Sequence, residues 1–389
     1  MIHQHDIAEV KNTFAPAEIS ILHIKLTLMG RADSLYPNKL NRFGNRMNLK
    51  ELSTKLGLSQ TTVSRALNGY PEVSEETREK VRRAAEEHNY RPNTRARSLA
   101  TGRTMAIGHV IPVSTKHEMV NPVFGDFIAG AGEVYSREGY DMVLTLVEDN
   151  NEEAAYRQIK SRGSVDGVVV HGPLMDEPRI PLLKKIGLPF VVHGRATNAV
   201  DPYSWVDMNN RRAFERATEL LLDLGHRRIA LINGLERMDF AYRRREGYEA
   251  AHHNRGLATD PTLMCSHEMT ELFAYDTTSS LLSEPNPPTA FLVSSMICAL
   301  GVRRAIEERG LVMGKDVSVV THDDVLSYLR NGGDVPIFTA TRSSVREAGR
   351  KSAEILLQMI KDPTRDPETF LFEAELVLGQ STGPALVRA

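Results

Sequence analysis

Cysteine and tryptophan are nearly absent from this chain: its 389 residues include two Cys and one Trp. Cys265 and Cys298 are far apart in sequence, which fits a reducing compartment, the cytoplasm, without a disulfide framework. No Cys or His spacing resembles a zinc site, and the neighbours His252 and His253 would point to different faces of a helix. No apolar run is long enough for a membrane span. The stretch ISILHIKLTLM (19–29) is broken by His23 and Lys25. It also lacks the basic flank and small-residue cleavage site of a signal peptide. Residues 1–46 read as a disordered leader, or as translation from a start codon set too far upstream. Phosphate-cradling glycine signatures are missing as well: GAG (130–132) and NGLER (233–237) lack the rest of any dinucleotide or P-loop pattern. Asp323 and Asp324 are successive residues at a strand end and should not converge as an acid–base pair. The expectation is no enzyme, no catalytic residue, no cofactor and no metal.

Charge of one sign is also scarce overall, with a net of −2, but it is unevenly spread. Residues 47–103 hold eleven Lys and Arg against seven acids, and residues 104–389 carry a net of −8. A small basic segment precedes a large acidic one.

Within that basic segment, local signals are dense. Asn48 can cap a helix over 49–56 that Gly57 stops, with Leu49, Leu52 and Leu56 on one face. Ser59 caps a second helix ended by Gly69 and Pro71, and Ser74 caps a third. Two short helices joined by a tight turn, with a supporting third, form a helix-turn-helix. On the second helix Val63, Ala66 and Leu67 face inward. The other side carries Gln60, Thr61, Ser64, Arg65 and Asn68. That side lacks the Lys and Glu of an ordinary solvated face. Gln and Arg suit adenine and guanine edges. Ser64 and Thr62, with helix-end amides, suit phosphate oxygens. The competing reading is a hydrophilic helix in an α-helical bundle.

RPNTRARSLATGRT (91–104) offers one short amphipathic helix, with Ala96, Leu99 and Ala100 as its apolar strip and Arg95, Arg97 and Arg103 as its charge. So short a helix is marginal alone. Ordering on DNA beside a second copy is expected, with Leu99 suited to wedge between base steps in the minor groove. A plain interdomain linker is the alternative.

Beyond residue 104, buried-strand runs (MAIGHVI, DMVLTLV, DGVVVHG, PFVVHG, RRIALING, TAFLVSS, VSVVTHD) alternate with helical segments. This predicts two parallel sheets flanked by helices, with a ligand in the crevice at the strand C-termini. His171, His193, Arg195, Asn233, Ser294, Ser295, His322, Asp323 and Asp324 stand at those ends.

In order along the chain, LSQTTVSRALNGYPEVSEETREKV, YRPNTRARSLATGRT, LLDLGHRRIALING and VSVVTHDD resemble the landmarks of the lac repressor (LacI/GalR) family. The resemblance covers residues 47–389. It implies an all-α headpiece over 47–92, a hinge helix over 93–103, and a two-lobed core over 104–389 like that of periplasmic sugar-binding proteins. The chain should cross between lobes near Tyr203–Asp207, Asp323–Ser327 and Ala340–Arg342. By position, Gln60, Thr61 and Arg65 match the family's base readers and Leu99 its wedge. Arg244 and Asp323 match effector contacts, and Phe124 matches a cleft aromatic.

Two departures stand out. SSM puts Ser295 where the family often has an amide, and VHGR puts Gly194, beside His193, where a carboxylate is common. With GHVIP and NPVFGDFIAGA they make the chain similar to alpha-glucoside operon repressors. Trp205, at an expected lobe crossing, is a candidate sugar-stacking residue or a hinge-packing one. No Leu heptad follows residue 380, so a homodimer is implied. The expected partners are double-stranded operator DNA and a small sugar that releases it, without a membrane. A corepressed regulator of a non-sugar ligand is the alternative. A solute-binding protein would have no use for residues 47–103.

Overall fold

The computed structural model describes residues 47–67, 69–88, 90, 102–112, 122–148 and 151–386. The leader, Asn68 and hinge positions 93–101, Ala96 and Leu99 among them, lie outside the described residues. The rest forms two compact units, described separately below.

The smaller unit contains α1 (Leu49–Leu56), α2 (Gln60–Leu67) and α3 (Glu75–Glu87). Each starts where a side chain can cap it. Asn48 Oδ1 accepts the Glu51 N–H at 3.0 Å while Glu51 accepts the Asn48 N–H at 2.9 Å. Ser59 Oγ accepts from Thr62 N at 3.0 Å, and Ser74 Oγ accepts from Thr77 N at 3.3 Å. Such caps are each worth about 1 kcal/mol. The tight turn after α1 needs the left-handed conformation at Gly57, where φ is 65°. Leu52, Val63, Ala66, Val73, Val81 and Ala85 close a core of their own, and burying each of the larger aliphatics contributes about 1.5–3 kcal/mol.

The larger unit has two lobes. The first begins with β1 (Ala106–Pro112), α4 (Pro122–Glu138), β2 (Asp141–Val147), α5 (Glu152–Arg162), β3 (Gly167–His171), α6 (Arg179–Ile186), β4 (Phe190–His193) and β5 (Trp205–Met208). The second is built from α7 (Asn210–Asp223), β6 (Ile229–Asn233), α8 (Asp239–Asn254), β7 (Met264–Ser266), α9 (Glu271–Leu281), β8 (Ala290–Val293), α10 (Met296–Glu307), β9 (Ser318–Asp323) and β10 (Thr339–Arg342). The chain then returns to the first lobe for α11 (Val345–Lys361) and β11 (Thr369–Phe372), and gives β12 (Glu375–Val377) to the second.

Both sheets have six strands, in the orders β11-β5-β4-β3-β1-β2 and β12-β10-β9-β8-β6-β7. All pairings are parallel except β10 with β12. Strand residues alternate between two buried faces, as parallel sheets covered on both sides require. In the first lobe Val169, Val191 and Val206 join the core under α4 and α11, while Val168, Val170 and Val192 join the core under α5 and α6. α4 and α11 approach closely because Gly130 and Gly349 carry no Cβ. A Cβ at Gly130 would sit 2.0 Å from the Arg346 carbonyl oxygen, and one at Gly349 2.2 Å from that of Phe127.

The crossings differ in detail from expectation. The first comes after β5, at 208–210, slightly beyond Tyr203–Asp207. The 324–338 segment is an excursion: Leu326 packs in the first lobe's core before β10 rejoins the second. The next crossing follows β10 at 343–344, and another, between β11 and β12, was not expected.

Candidate nucleic-acid interface and ligand cleft

On α2 the inward residues Val63 and Ala66 are buried, whereas Gln60, Thr61 and Arg65 are exposed and Thr62 and Ser64 half-buried. The first turn has no acid, so its positive dipole end is open to an anion. Thr62 is partly committed, since its hydroxyl shares a 2.8 Å hydrogen bond with that of Ser59. Arg65 makes no ion pair among the described residues. The arginines of α3 contrast with it: Arg78 pairs with Glu75, and Arg82 and Arg83 pair with Glu79. The unit's α2 face therefore presents an uncommitted guanidinium beside an amide and a hydroxyl.

In the larger unit a cleft of about 770 Å³ opens between the C-terminal ends of the two sheets. From the first lobe, Phe124, Phe127, His171, His193, Arg179 and Asp207 line it; from the second come Phe240, Arg244, Ser294, Ser295, His322 and Asp324. Its rim is bridged. Asp239 donates its N–H to the Pro173 carbonyl at 3.0 Å, and its carboxylate accepts from Thr197 N at 2.6 Å. Arg243 also donates to the Thr197 hydroxyl at 3.0 Å.

The first-lobe wall is aromatic. Phe127 stacks on His193 at 4.2 Å, and Phe124 and Phe127 meet the His171 ring edge-on at 5.1 and 4.9 Å. Burial pushes the His193 imidazole down to about 4, against the pull of Asp324. Burial, reinforced by His109, His193 and Arg179, holds His171 well below the usual imidazole range. Both rings are neutral at physiological pH.

Most charges here are internally matched. Arg179 bonds Glu177 at 2.7 Å and reaches Glu152 at 3.3 Å, and its guanidinium also donates to the His171 carbonyl at 3.0 Å. Arg195 pairs with Asp207 at 2.7 Å, which opposes the upward push of burial on that carboxyl. Arg244 differs. It lies between the rings of Phe214 and Phe240, at 5.0 and 4.9 Å, and donates to Asn210 Oδ1 at 2.8 Å and the Ser294 carbonyl at 2.7 Å. Burial lowers it to about 10, countered by Asp324 and Asp207, so it remains a cation. Asp324 lies 3.3 Å from His322 Nε2. Burial raises its carboxyl, but His322, Arg244 and His193 outweigh that and hold it below the usual range. An ionised acceptor and a cation thus face the same cleft with polar capacity to spare.

Of the residues expected here, Phe124, His193, Arg244 and Ser295 line the cleft. Ser295 also caps α10, accepting from Cys298 N at 3.2 Å. Two expectations need correction. Asp323 does not line the cleft: its side chain turns back to accept the Val325 N–H at 2.8 Å, and Asp324 takes the cleft position. Trp205 does not line it either. It begins β5, whereas the cleft lies at that strand's other end, and it packs on the α5–α6 face of the sheet with the Arg195 guanidinium 5.1 Å over its ring. His171, His322 and Asp324 carried a signal, their place at strand ends. Phe127 lies in NPVFGDFIAGA and Asp207 at an expected lobe crossing, but neither was singled out for the cleft, and Arg179 had no motif to mark it.

Among the described residues no cluster could hold a metal ion, and no helix is long and apolar enough to cross a membrane.

A helix-turn-helix unit followed by a two-lobed ligand-binding core defines a DNA-binding transcriptional regulator, and not an enzyme. The chain belongs to the lacI family of bacterial regulatory proteins. Residues 48–93 match that family and residues 218–382 match the periplasmic binding protein-like domain. It is 45% identical over 340 residues to the HTH-type transcriptional regulator AglR of Rhizobium meliloti (strain 1021), covering 87% of this chain and 95% of AglR. With the HTH-type transcriptional regulator RafR of Escherichia coli it shares 34% identity, covering 81% and 92%. Among solved structures it is similar to the CelR–cellobiose complex (28% identity, TM-score 0.64, 86% and 100% covered). It is also similar to the lac repressor dimer bound to operator and the anti-inducer ONPF (26% identity, TM-score 0.72, 87% and 99% covered).

Proposed function

We propose that the protein is a cytoplasmic homodimeric repressor that leaves its operator when a small sugar, an alpha-glucoside, binds between the lobes. The observation that carries this is the cleft's character: an aromatic wall of neutral rings opposite Arg244 and Asp324, with most of the remaining charges matched in ion pairs. A neutral ligand fringed with hydroxyls fits it, because sugar faces stack on rings and hydroxyls bond to charged groups. Carboxylates outnumber cations in the lining, six against Arg179, Arg237 and Arg244, which disfavours an anion. The CelR structure, a cellobiose complex, supports a two-ring sugar as the ligand size, and the operator-bound lac repressor dimer supports the assembly.

In this reading 47–92 is the DNA-binding domain, 93–103 the hinge helix and 104–389 the effector-binding and dimerisation domain. Gln60, Thr61 and Arg65 read bases in the major groove, and Asn68 is a further DNA contact. Thr62 and Ser64 hold phosphates, and Ala96 and Leu99 engage the minor groove. Phe124, His193, Arg244, Ser295 and Asp324 hold the sugar. The ligand acts by its differential affinity for the two arrangements of the core, about 1–3 kcal/mol in systems of this kind.

The test is a thermal-shift screen of the full chain with glucose, maltose, trehalose, sucrose and cellobiose, followed by operator release in a gel-shift assay. A ligand at 100 times its Kd stabilises by about 2.7 kcal/mol. An α-linked disaccharide should raise the midpoint and release the DNA. Stabilisation by none of these sugars would sink the proposal.

A further inference from the structure

We propose that the buried pair Tyr135 and His109 fixes His171 in the tautomer with its proton on Nδ1, so that the first-lobe wall offers the ligand a hydrogen-bond donor. This deepens the reading of the cleft as a sugar site and rests on it for the ligand.

His109 stands on β1 and His171 at the end of the neighbouring β3, and both side chains project from the same face. Their ring planes lie 23° from parallel with centroids 5.2 Å apart, and His109 Nδ1 is 2.9 Å from His171 Nε2. On the far side, the Tyr135 hydroxyl lies 3.5 Å from His109 Nε2. Tyr135 and His109 are buried, whereas His171 lines the cleft. Among the described residues no hydrogen-bond partner is given to His171 Nδ1, whereas its Nε2 is taken by His109, so Nδ1 is the nitrogen assigned to the ligand.

Burial drives the His109 imidazole down to about 3, and His171 is lowered as well, so a single proton lies between the two neutral rings. It can belong to either. If His171 Nε2–H donates to His109, then His109 carries its own proton on Nε2, pointing at the phenol oxygen. The phenol proton is then left without an acceptor in the core. If His109 Nδ1–H donates to His171, then His109 Nε2 is free to accept from the Tyr135 hydroxyl, so both protons inside the core have partners and the one left over, on His171 Nδ1, belongs to the residue that lines the cleft. Buried donors without acceptors are the costlier fault, while an unfilled lone pair on a phenol oxygen is tolerated. The second arrangement is therefore favoured. It runs Tyr135 O–H to His109, His109 N–H to His171, and His171 Nδ1–H to the cleft. Phe124 and Phe127 meet the His171 ring at 82° and 87°, which hinders the ring flip that would exchange its two nitrogens. Tyr135 and His109 are positioning residues here; neither lines the cleft.

Solid-state 15N NMR of the full chain labelled at histidine reads the tautomer without a ligand, with His171 assigned by loss of its signals in His171→Gln. The expected result is a protonated-type Nδ1 and an unprotonated-type Nε2 at His171, and a mixture of both tautomers in Tyr135→Phe. A protonated Nε2 in the unmodified protein overturns the inference. So does a Tyr135→Phe variant whose His171 signals are unchanged. Calorimetry with maltose and trehalose supplies the second arm. Whichever sugar binds should bind Tyr135→Phe about two- to tenfold more weakly, the scale of one neutral hydrogen bond partly lost, with operator affinity unchanged. Equal sugar affinity overturns the donor role. If neither sugar binds, the sugar reading fails, and the NMR result still decides the relay.

Discussion

Replacing Asp324 by Asn removes one negative charge from the cleft and keeps the side chain's shape. Its carboxylate is ionised at neutral pH, because His322, Arg244 and His193 hold it below the usual range. The side chain is only 16% exposed, so a sugar hydroxyl donating to it makes a poorly screened, charge-assisted bond. Hydrogen bonds to charged groups are worth about 1.5–3 kcal/mol, and tenfold in affinity is about 1.36 kcal/mol. An Asn oxygen still accepts from the hydroxyl at the roughly 0.5–1.5 kcal/mol of a neutral bond, so Asp324→Asn should weaken sugar binding by the difference, about 1–1.5 kcal/mol or roughly 5- to 13-fold, with operator binding intact. Asp323→Asn is the informative companion. That side chain accepts a backbone N–H outside the cleft, and an Asn oxygen can do the same, so sugar affinity should change less than about threefold. Isothermal titration of both variants with the sugar found by the thermal screen measures the difference. If Asp323→Asn loses the response and Asp324→Asn keeps it, the assignment of the cleft carboxylate is wrong.

Arg65→Ala should cost about 1–3 kcal/mol at one base pair and relax the preference there; a uniform loss over all sequences in a binding-site selection would make Arg65 a phosphate contact instead. Gly130→Ala should destabilise the larger unit by at least about 1–3 kcal/mol, because the new Cβ would lie 2.0 Å from a carbonyl oxygen of α11; an unchanged unfolding midpoint would refute that tight packing. The neutral imidazoles make stability pH-dependent. His109 and His193 titrate at about 3 and 4 when folded but near 6.5 unfolded, and His171 is depressed too. The unfolded chain thus binds more protons, so their contribution is full above pH ~6.5 and is lost as pH falls towards ~4. Unfolding at pH 5 should take up about two protons through His109 and His193, with His171 adding to the uptake in the same direction, seen as an unfolding enthalpy that depends on the buffer; no such dependence would contradict their burial as neutral groups.

The headpiece was legible almost to the residue because its signals are local. Asn48, Ser59 and Ser74 cap helices through contacts three residues away, and Gly57 ends one by itself. Strands with buried apolar runs were legible, the four-residue β4 (FVVH) and β8 (AFLV) included. β5, β7, β10, β11 and β12 were not. WVDM, MCS, TATR, TFLF and ELV are short and partly polar or exposed, and some of their partners are remote: β11 pairs Thr369 with Trp205. Missing them also displaced the crossings. In the cleft, the strand-end rule pointed to His171, His322 and Asp324, and residue-by-residue resemblance pointed to Asp323. Alternation settles which is which, since His322 and Asp324 project to one side and Asp323 to the other. Arg179, Glu177 and Glu152 reach the cleft only through the folding of β3 against α5 and α6, a juxtaposition that no spacing encodes.

The displacement of Trp205 from the cleft turns the lone tryptophan into an optical reporter at one remove. Its ring lies under Arg195, whose guanidinium is held by Asp207, and Asp207 lines the cleft. A ligand that bonds Asp207 draws on the same carboxylate that anchors the cation over the indole. Emission would then shift through a change in the local field and not through stacking or quenching by the sugar. With one indole per chain, such a signal needs no label and no deconvolution. Arg195→Lys would break the wiring and silence the readout, leaving the residues that face Asp207 across the cleft unaltered.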